Sequence, residues 1–183
     1  MNTGFLLRVA TILLLAASLH GCASLSKEEC FHANWEDIGR RDGRSGYAED
    51  RLMDHSAACA KVSVTPDRDA WLRGREQGLE IYCEPRNGFQ IGESGGYYSS
   101  GVCRDFDEGA FISAVQEGRE LYELAHERNL VGNELRDVAA ALERKDLDPK
   151  QREELAYRLG GLRARYDELQ RNYEHARYHS RFR

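Results

Sequence analysis

Apolar and polar positions follow different patterns in three parts of the chain. A largely apolar run, residues 9–19, comes first and follows the basic residue Arg8. The middle part repeats small residues at intervals of four, and the C-terminal part places leucines at steps of three and four. Such steps are typical of α-helices, in which about 3.6 residues make one turn. The pattern therefore predicts a mainly α-helical protein that follows an N-terminal apolar segment.

The C-terminal region, residues 108–183, predicts a long antiparallel helical hairpin. Its first half has apolar residues at helical steps from Leu121 to Leu142. Asp148 and Gln151 have the spacing of a capping box at the start of a second helix, which keeps the heptad spacing of a coiled-coil seam. The two seams either bury only each other or leave a surface for a partner helix or for dimerisation. The second seam consists of Leu155, Leu159, Leu162, Tyr166, Leu169 and Tyr173.

Three segments share one spacing of small residues and tyrosine. Each has two small residues four positions apart, a tyrosine four positions later and an aromatic residue three or four positions earlier. Because glycine costs about 1 kcal/mol in a helix relative to alanine, this register favours close helix–helix packing, with a bare backbone surface for a ligand as the alternative. The copies are Trp35, Gly39, Gly43 and Tyr47; Trp71, Gly74, Gly78 and Tyr82; and Phe111, Ala114, Gly118 and Tyr122.

Helix starts are predicted at two places in the middle part. Asn34 has the residue type and position of an N-cap for the helix of the first copy. Thr65, Pro66 and Asp67 predict a cap, a first-turn proline and a first-turn acid for the helix of the second copy. Residues 47–61 lie between these two helices and predict a further one.

Residues 86–102 predict a glycine-rich loop. The Asn-Gly pair at residues 87–88 and the Gly-Gly pair at 95–96 are turn signals, and residues 92–102 fit a short β-hairpin. The loop is expected to be held by cysteines near its ends.

Three aromatic side chains of this loop form a candidate binding surface. They are Phe89, Tyr97 and Tyr98, with Asn87 beside them. Tyrosine supplies contact area at low entropic cost, and aromatic faces stack on sugar rings. The alternative is that these side chains fold inward and form the core of the loop.

The apolar run ends in the sequence LHGC at Cys22. This resembles a bacterial lipoprotein box, in which acyl chains such as palmitate are attached to the cysteine, although His20 stands where a small residue is usual. Ala23 favours the outer membrane by resemblance to enterobacterial lipoproteins. The alternative is an ordinary signal peptide followed by a chance cysteine. The spacing predicts a lipoprotein signal peptide over residues 1–21 and a lipidated linker over residues 22–29.

Four further cysteines predict two disulfides, because an exported protein reaches an oxidising compartment. Three pairings are possible, and the most local joins the first cysteine to the second and the third to the fourth. The alternative is a zinc site made by the first two cysteines with His32 and His55. The compartment favours disulfides, and no metal or other cofactor is predicted. The cysteines are Cys30, Cys59, Cys83 and Cys103.

The charge balance excludes a nucleic-acid partner. Removal of residues 1–21 takes away one basic side chain, Arg8, and changes the formal charge from −5 to −6. An acidic chain without a basic stripe is not suited to phosphate contacts. The remaining 162 of 183 residues are predicted to form a disulfide-stapled helical head over residues 30–107 and the hairpin over 108–183.

Three segments carry a family resemblance. They are DIGRRDGRSGY, the run from HSAAC to SGVC and AFISAVQEGRELYEL, all within residues 30–124. The most specific part extends from Trp71 to Cys103, with Trp71 where a tyrosine is expected. Together they resemble the bacterial envelope lipoproteins grouped as domain of unknown function 2799. The resemblance implies an exported, lipid-anchored protein and supplies no reaction or catalytic residue.

Candidate chemistry is sparse. His55 with Asp54 or Glu49 is a possible acid–base pair, and no nucleophile is inferred among the loop serines. No catalytic residue is therefore assigned.

The predicted function is that of a structural or protein-interaction lipoprotein. It is expected in the Gram-negative envelope, on the outer membrane facing the periplasm, with the inner membrane and the cell surface as alternative locations. The membrane is one expected partner, and an envelope protein is another. The alternative is a lipoprotein that binds or hydrolyses cell-wall glycan or peptidoglycan through the aromatic loop 86–102.

Overall fold

A computed structural model of the protein describes residues 23–182, so the predicted signal peptide and Cys22 lie outside the described residues. Within residues 23–182 the mainly α fold class is confirmed, and the absence of strands there means that the β-hairpin expected over 92–102 is wrong. No helix in this part of the chain is both long and apolar enough to span a bilayer. The elements are α1 (Lys27–Phe31), α2 (Trp35–Arg44), α3 (Arg51–Cys59), a 3₁₀ turn (Ala60–Val62), α4 (Arg68–Tyr82), α5 (Pro85–Glu93), α6 (Glu108–Leu142) and α7 (Pro149–His179).

The described residues divide into two compact units. One unit ends at Gly78 and the other begins at Leu79, so the division falls within α4. The second unit packs α5 against α6 and α6 against α7. Part of the segment predicted as the head therefore packs with the predicted hairpin.

In the first unit, α2 and α4 cross at their glycines. A Cβ atom on Gly39 would overlap the backbone of Trp71, and one on Gly74 would overlap the backbone of Glu36. The helices are thus in backbone contact, which confirms the predicted close packing. The core of this unit consists of Leu25, Cys30, Trp35, Ile38, Ala58, Cys59 and Trp71.

The two predicted helix starts of this unit have different outcomes. Asn34 caps α2 as predicted, and its side chain accepts a hydrogen bond from the backbone of Asp37. The cap of α4 is Asp67 rather than Thr65, because the Asp67 carboxylate accepts from the N–H of Ala70 at 3.0 Å. A capping side chain must reach an amide two or three residues ahead, and α4 begins only at Arg68.

In the second unit, α5 and α6 cross in the same manner. The Asn-Gly pair expected to turn lies inside α5, which starts at Pro85. A Cβ atom on Gly88 would lie 2.7 Å from the carbonyl oxygen of Phe111, and one on Gly92 would overlap the backbone of Val115. The turn prediction is wrong at this pair because packing against α6 selects the helix. The third small-residue copy therefore finds its partner in α5.

The long helices α6 and α7 form the predicted antiparallel hairpin. The capping box of Asp148 and Gln151 is present at the start of α7. Arg165 on α7 pairs with Glu127 on α6 at 2.6 Å. Leu169 of the heptad seam is only 1% exposed, and the other seam residues are partly buried.

Two disulfides form in the most local pairing. Cys30 is joined to Cys59 and Cys83 to Cys103, each with a Cα–Cα distance of 5.5 Å. In each unit the disulfide ties the chain before the first crossing helix to the chain before the second. It therefore limits how far the two crossing helices can separate.

The C-terminal end of the first crossing helix, α2 or α5, is also alike in the two units. Both α2 and α5 end in Gly-x-Ser-Gly, and the last glycine is left-handed, with φ 70° at Gly46 and 72° at Gly95. The N–H of Tyr47 then donates to the carbonyl of Asp42 at 3.1 Å, and the N–H of Gly96 makes the equivalent bond at 2.8 Å. This is the Schellman pattern, which needs a residue that tolerates positive φ. The internal repeat therefore covers helix ends and disulfides, which the spacing of small residues alone did not predict.

Candidate functional site

A buried carboxylate, Asp42, joins three helices of the first unit. Its Oδ2 atom, on α2, lies 2.8 Å from Nε2 of His55 on α3. The indole Nε1 of Trp71, on α4, donates to the same oxygen at 2.8 Å. The three residues are 7%, 1% and 0% exposed, respectively. A carboxylate at such depth needs hydrogen bonds to offset its lost hydration, and these two donors supply them.

The second ring nitrogen of His55 contacts the N-terminal segment. Nδ1 lies 2.8 Å from the Oγ of Ser24. Because Asp42 is an acceptor, the arrangement fits an Nε2–H that donates to Asp42 and an Nδ1 that accepts from the hydroxyl of Ser24. Both nitrogens are thereby engaged. We call Asp42, His55, Trp71 and Ser24 the clasp.

The residues after Ser24 are also part of the fold. Leu25 is 6% exposed and belongs to the core. Ser26 and Glu29 form a capping box at α1, with the N–H of Ser26 donating to Glu29 at 2.8 Å and the N–H of Glu29 donating to Ser26 at 3.2 Å. The hydrogen bonds from the backbone and hydroxyl of Ser26 hold the pKa of Glu29 below its usual value. The segment predicted as a linker is thus folded from Ser24 onward.

A small cavity of about 180 Å³ lies beside the clasp. Arg51 on its wall places Nε 3.9 Å from Oδ1 of Asp42, and this buried nitrogen makes no hydrogen bond within the described chain. The guanidinium also pairs with Asp54 at 3.2 Å and lies 4.5 Å from the ring centre of Tyr47. The positive charge of Arg51 is therefore offset by the carboxylates of Asp42 and Asp54. The lining residues are Ser24, Leu25, Glu29, Ile38, Arg41, Asp42, Ser45, Arg51 and His55.

The clasp has the residue types of a nucleophilic triad in a different arrangement. In a serine protease the serine bonds Nε2 and the carboxylate bonds Nδ1. Here Ser24 is on Nδ1 and Asp42 on Nε2, so the imidazole is reversed. The same bonds hold the N-terminal segment against the core. We interpret the clasp as an attachment device and assign it no catalytic step.

The partner of His55 differs from the acid–base pairs expected from the sequence. Asp54 pairs with Arg51, and Glu49 lies 3.9 Å from an arginine of α4. Asp42 takes the place of both, and it is 13 positions away on another helix. The available sequence signal was its spacing of three and four positions from Gly39 and Ile38, which places Asp42 on the buried face of α2. The rival zinc site lacks ligands, because its two cysteines form a disulfide and both nitrogens of His55 are engaged.

Three residues of the predicted aromatic surface are engaged within the second unit. Phe89 is 6% exposed and packs in a core cluster. The Nδ2 of Asn87 donates to the carbonyl of Tyr82 at 2.6 Å. Tyr98 meets Phe111 edge to face, with ring centroids 5.6 Å apart. These three side chains therefore make contacts within the second unit, in which Phe89 is buried and Tyr98 is partly buried.

Tyr97 is the open member of the set. It is 92% exposed, and the guanidinium carbon of Arg119 lies 5.6 Å from its ring centre. Arg119 also donates to the carbonyls of Gly95 and Gly96, which fixes the loop below the tyrosine. Of the four predicted surface residues, Tyr97 is therefore the one most open to a ligand, and the guanidinium of Arg119 lies beside it.

The loop also contains a serine in Gly-x-Ser-x-Gly spacing, at residues 92–96. In hydrolases this motif places the serine on a turn between a strand and a helix. Ser94 instead follows α5 as its C-cap residue, and its Oγ donates to the carbonyl of Ile91 at 2.9 Å. Ser94 is therefore a helix-capping residue.

A family model matches the part of the chain that contains both helix crossings. The model is described as Protein of unknown function (DUF2799), and it covers residues 34–120. The match confirms the family resemblance over residues 34–120, which we call the DUF2799 domain. No curated protein and no solved structure is significantly similar to the chain.

The limits of the DUF2799 domain divide the clasp. Asp42, His55 and Trp71 lie inside the domain, whereas Ser24 precedes it. The domain therefore supplies three of the four clasp residues. The segment before the domain attaches to them through the hydrogen bond between Ser24 and His55. Most of α6 and all of α7 also lie outside the domain.

Proposed function

We propose that the protein is a structural or interaction lipoprotein of the Gram-negative envelope, held by acyl chains on Cys22 to the outer membrane and facing the periplasm. The observation that carries the proposal is the folding of the chain directly after the lipidation position. Ser24 bonds His55, and Leu25 is buried in the core. An acyl anchor on Cys22 would therefore hold the first unit close to the bilayer, because only Ala23 separates Cys22 from residues that contact the core.

Two further features support this proposal. Disulfides are typical of oxidising compartments such as the periplasm, and residues 23–182 contain two. An acyl chain contributes about 0.8 kcal/mol per buried CH₂, so several chains suffice for stable attachment without a transmembrane helix.

The attachment is tested by labelling cells with an alkyne analogue of palmitate. The wild-type protein should take up label and fractionate with outer membranes, whereas Cys22→Ser should lose both properties. Ser24→Ala is the matched control, because it leaves the acceptor cysteine in place and should be labelled like the wild type. Unlabelled wild-type protein would contradict the proposal.

The interaction role is tested by photocrosslinking in intact cells. A photoreactive residue at Tyr97 samples the loop, and one at Tyr157, which is 87% exposed, samples α7. A discrete protein adduct from either position supports an interaction lipoprotein. Adducts to cell-wall material alone would contradict the protein-interaction role and support glycan binding instead.

We also propose glycan binding as the second candidate function, because Tyr97 combines 92% exposure with a neighbouring guanidinium. An aromatic face can stack on a sugar ring, and Arg119 can bond its hydroxyl groups. The protein should then sediment with purified peptidoglycan, and Tyr97→Ala should release it. Tyr157→Ala is the control with a similarly exposed tyrosine. Equal sedimentation of both variants would rule out this surface.

A further inference from the structure

We propose that His175 and His179 form a binding site for a divalent transition metal, with Cu²⁺ bound most tightly. The two residues are one helical turn apart on α7, outside the DUF2799 domain. Residues at this spacing lie on the same helix face, and their ring centroids are 4.4 Å apart. Two imidazoles four positions apart on a helix bind one metal ion in known metalloproteins. The inference does not depend on membrane anchoring.

Both imidazoles are available to a ligand. They are exposed, and the ring contacts they make are with each other and between His179 and Tyr178, at 5.1 Å. Within residues 23–182, no hydrogen bond or ion pair engages either ring, in contrast to His55. A neutral imidazole nitrogen with a free lone pair is what a transition metal requires.

The pair lies on a groove of about 530 Å³ between α6 and α7. Two carboxylates, Glu117 and Glu120, face the groove from α6. Glu117 is already engaged, because it accepts from the backbone N–H of Arg181 at 2.9 Å and from its guanidinium at 3.2 Å. Glu120 makes no hydrogen bond or ion pair within the described residues. It therefore adds an uncompensated negative charge that attracts a cation to the two imidazoles.

The end of α7 that carries the pair is held in place. The ring of Phe182 packs on Phe89 with centroids 5.4 Å apart, and Arg181 clamps Glu117. A held helix end keeps His175 and His179 in a fixed relation before any metal arrives. Less conformational entropy is then lost on binding.

The site offers two protein ligands, so the remaining coordination positions stay open. No three or more His, Cys, Asp or Glu side chains are assembled for a metal anywhere in residues 23–182. Such a site exchanges its metal with solution more readily than a closed structural zinc site. Imidazole ligands favour Cu²⁺ over Ni²⁺ and Zn²⁺, whereas Mg²⁺ and Ca²⁺ prefer oxygen ligands.

The test is isothermal titration of Cu²⁺ into the untagged full chain in detergent. The wild type should bind one Cu²⁺, and His175→Ala and His179→Ala should each lower the affinity at least tenfold. His126→Ala is the control, because His126 also lies on a long helix and stacks on a tyrosine at 5.9 Å. Its affinity should equal that of the wild type. Mg²⁺ should give no binding heat.

Electron paramagnetic resonance of the copper complex supplies a second readout. The wild-type spectrum should show coupling to two imidazole nitrogens, and each single variant should lose one of them. Since both histidines are exposed, circular dichroism should show the same helix content in all variants. Unchanged affinity in both His175→Ala and His179→Ala, or a wild type that binds no Cu²⁺, would overturn the proposal.

Discussion

Gly43 and Gly78 face each other across the crossing of α2 and α4. A Cβ atom on Gly78 would lie 2.8 Å from the Cα of Gly43, and one on Gly43 would lie 3.0 Å from the Cα of Gly78. Non-bonded carbon atoms prefer about 3.5 to 4.0 Å. The two helices therefore approach with no side chain between them, and the crossing requires glycine at both positions.

Replacing Gly43 by alanine should destabilise the protein by about 3 kcal/mol. The new methyl group would overlap the backbone of Arg75, and a backbone cannot rotate away as a side chain can. Urea unfolding followed by circular dichroism measures the change. A loss below about 1 kcal/mol would show that the crossing adjusts easily.

Replacing Gly160 by alanine should have the opposite effect and stabilise the protein by about 1 kcal/mol. Gly160 lies inside α7, and no atom lies within 4 Å of the position that its Cβ would occupy. Alanine then gains helix propensity without a clash. The same unfolding experiment serves both glycines. A destabilised Gly160→Ala variant would reveal a packing role that the described contacts do not contain.

Removing the Cys83–Cys103 disulfide should cost about 3 kcal/mol in the chain-entropy model, since it closes a loop with a sequence separation of 20. The paired variant Cys83→Ser with Cys103→Ser leaves no unpaired thiol. Thermal unfolding of this variant and of the wild type, each with and without reductant, measures the effect. In the variant, the remaining Cys30–Cys59 bond should account for the whole effect of the reductant.

Replacing His55 by alanine should destabilise the first unit by about 3 kcal/mol. The change removes one of the two donors that Asp42 uses in the core and also releases Ser24. Ser24→Ala should cost only about 1 kcal/mol, because one hydrogen bond is lost. His32→Ala, at an exposed histidine, is the control and should cost nothing measurable. If His55→Ala and the control have the same free energy of unfolding, the clasp does not contribute measurably to the stability of the first unit.

Acid should weaken the hairpin through Glu117. Burial disfavours its charged form, but hydrogen bonds from the backbone of Arg181, from Ser180 and from the Arg181 guanidinium outweigh this, so its pKa is below the usual 4.5. A lowered pKa contributes stability above pH 4.5 that is lost as the pH falls through the folded-state value. Glu117→Gln should therefore lose less stability than the wild type between pH 6 and about pH 3.

The control for this pH profile is Glu153→Gln, which changes an exposed glutamate of α7. Its urea unfolding should follow the wild type at every pH. An identical acid slope for Glu117→Gln and the wild type would show that the contact with Arg181 does not persist in solution.

Local patterns predicted the elements that depend on near neighbours. The heptad leucines and the Asp148 capping box predicted α7, and the small-residue copies predicted helices that pack closely. Asn87 and Gly88 show where local reasoning failed. Their turn signal is strong in isolation, but Gly88 packs on the backbone of Phe111 and the segment is helical. Gly88 and Gly92 had the same four-residue spacing as the other copies, which was the available signal.

By itself the sequence determined that this protein is helical, that its glycines require close packing and that its cysteines favour disulfides. These conclusions depend on the spacing of apolar residues, on helix propensity and on the chemistry of single residues, which all act over one or two helical turns. Only the tertiary structure decided which glycines meet, that Asp42 is the partner of His55, that Phe89 is buried and that Tyr98 packs on Phe111. These pairings join residues on separate helices, and they depend on how whole helix faces pack together.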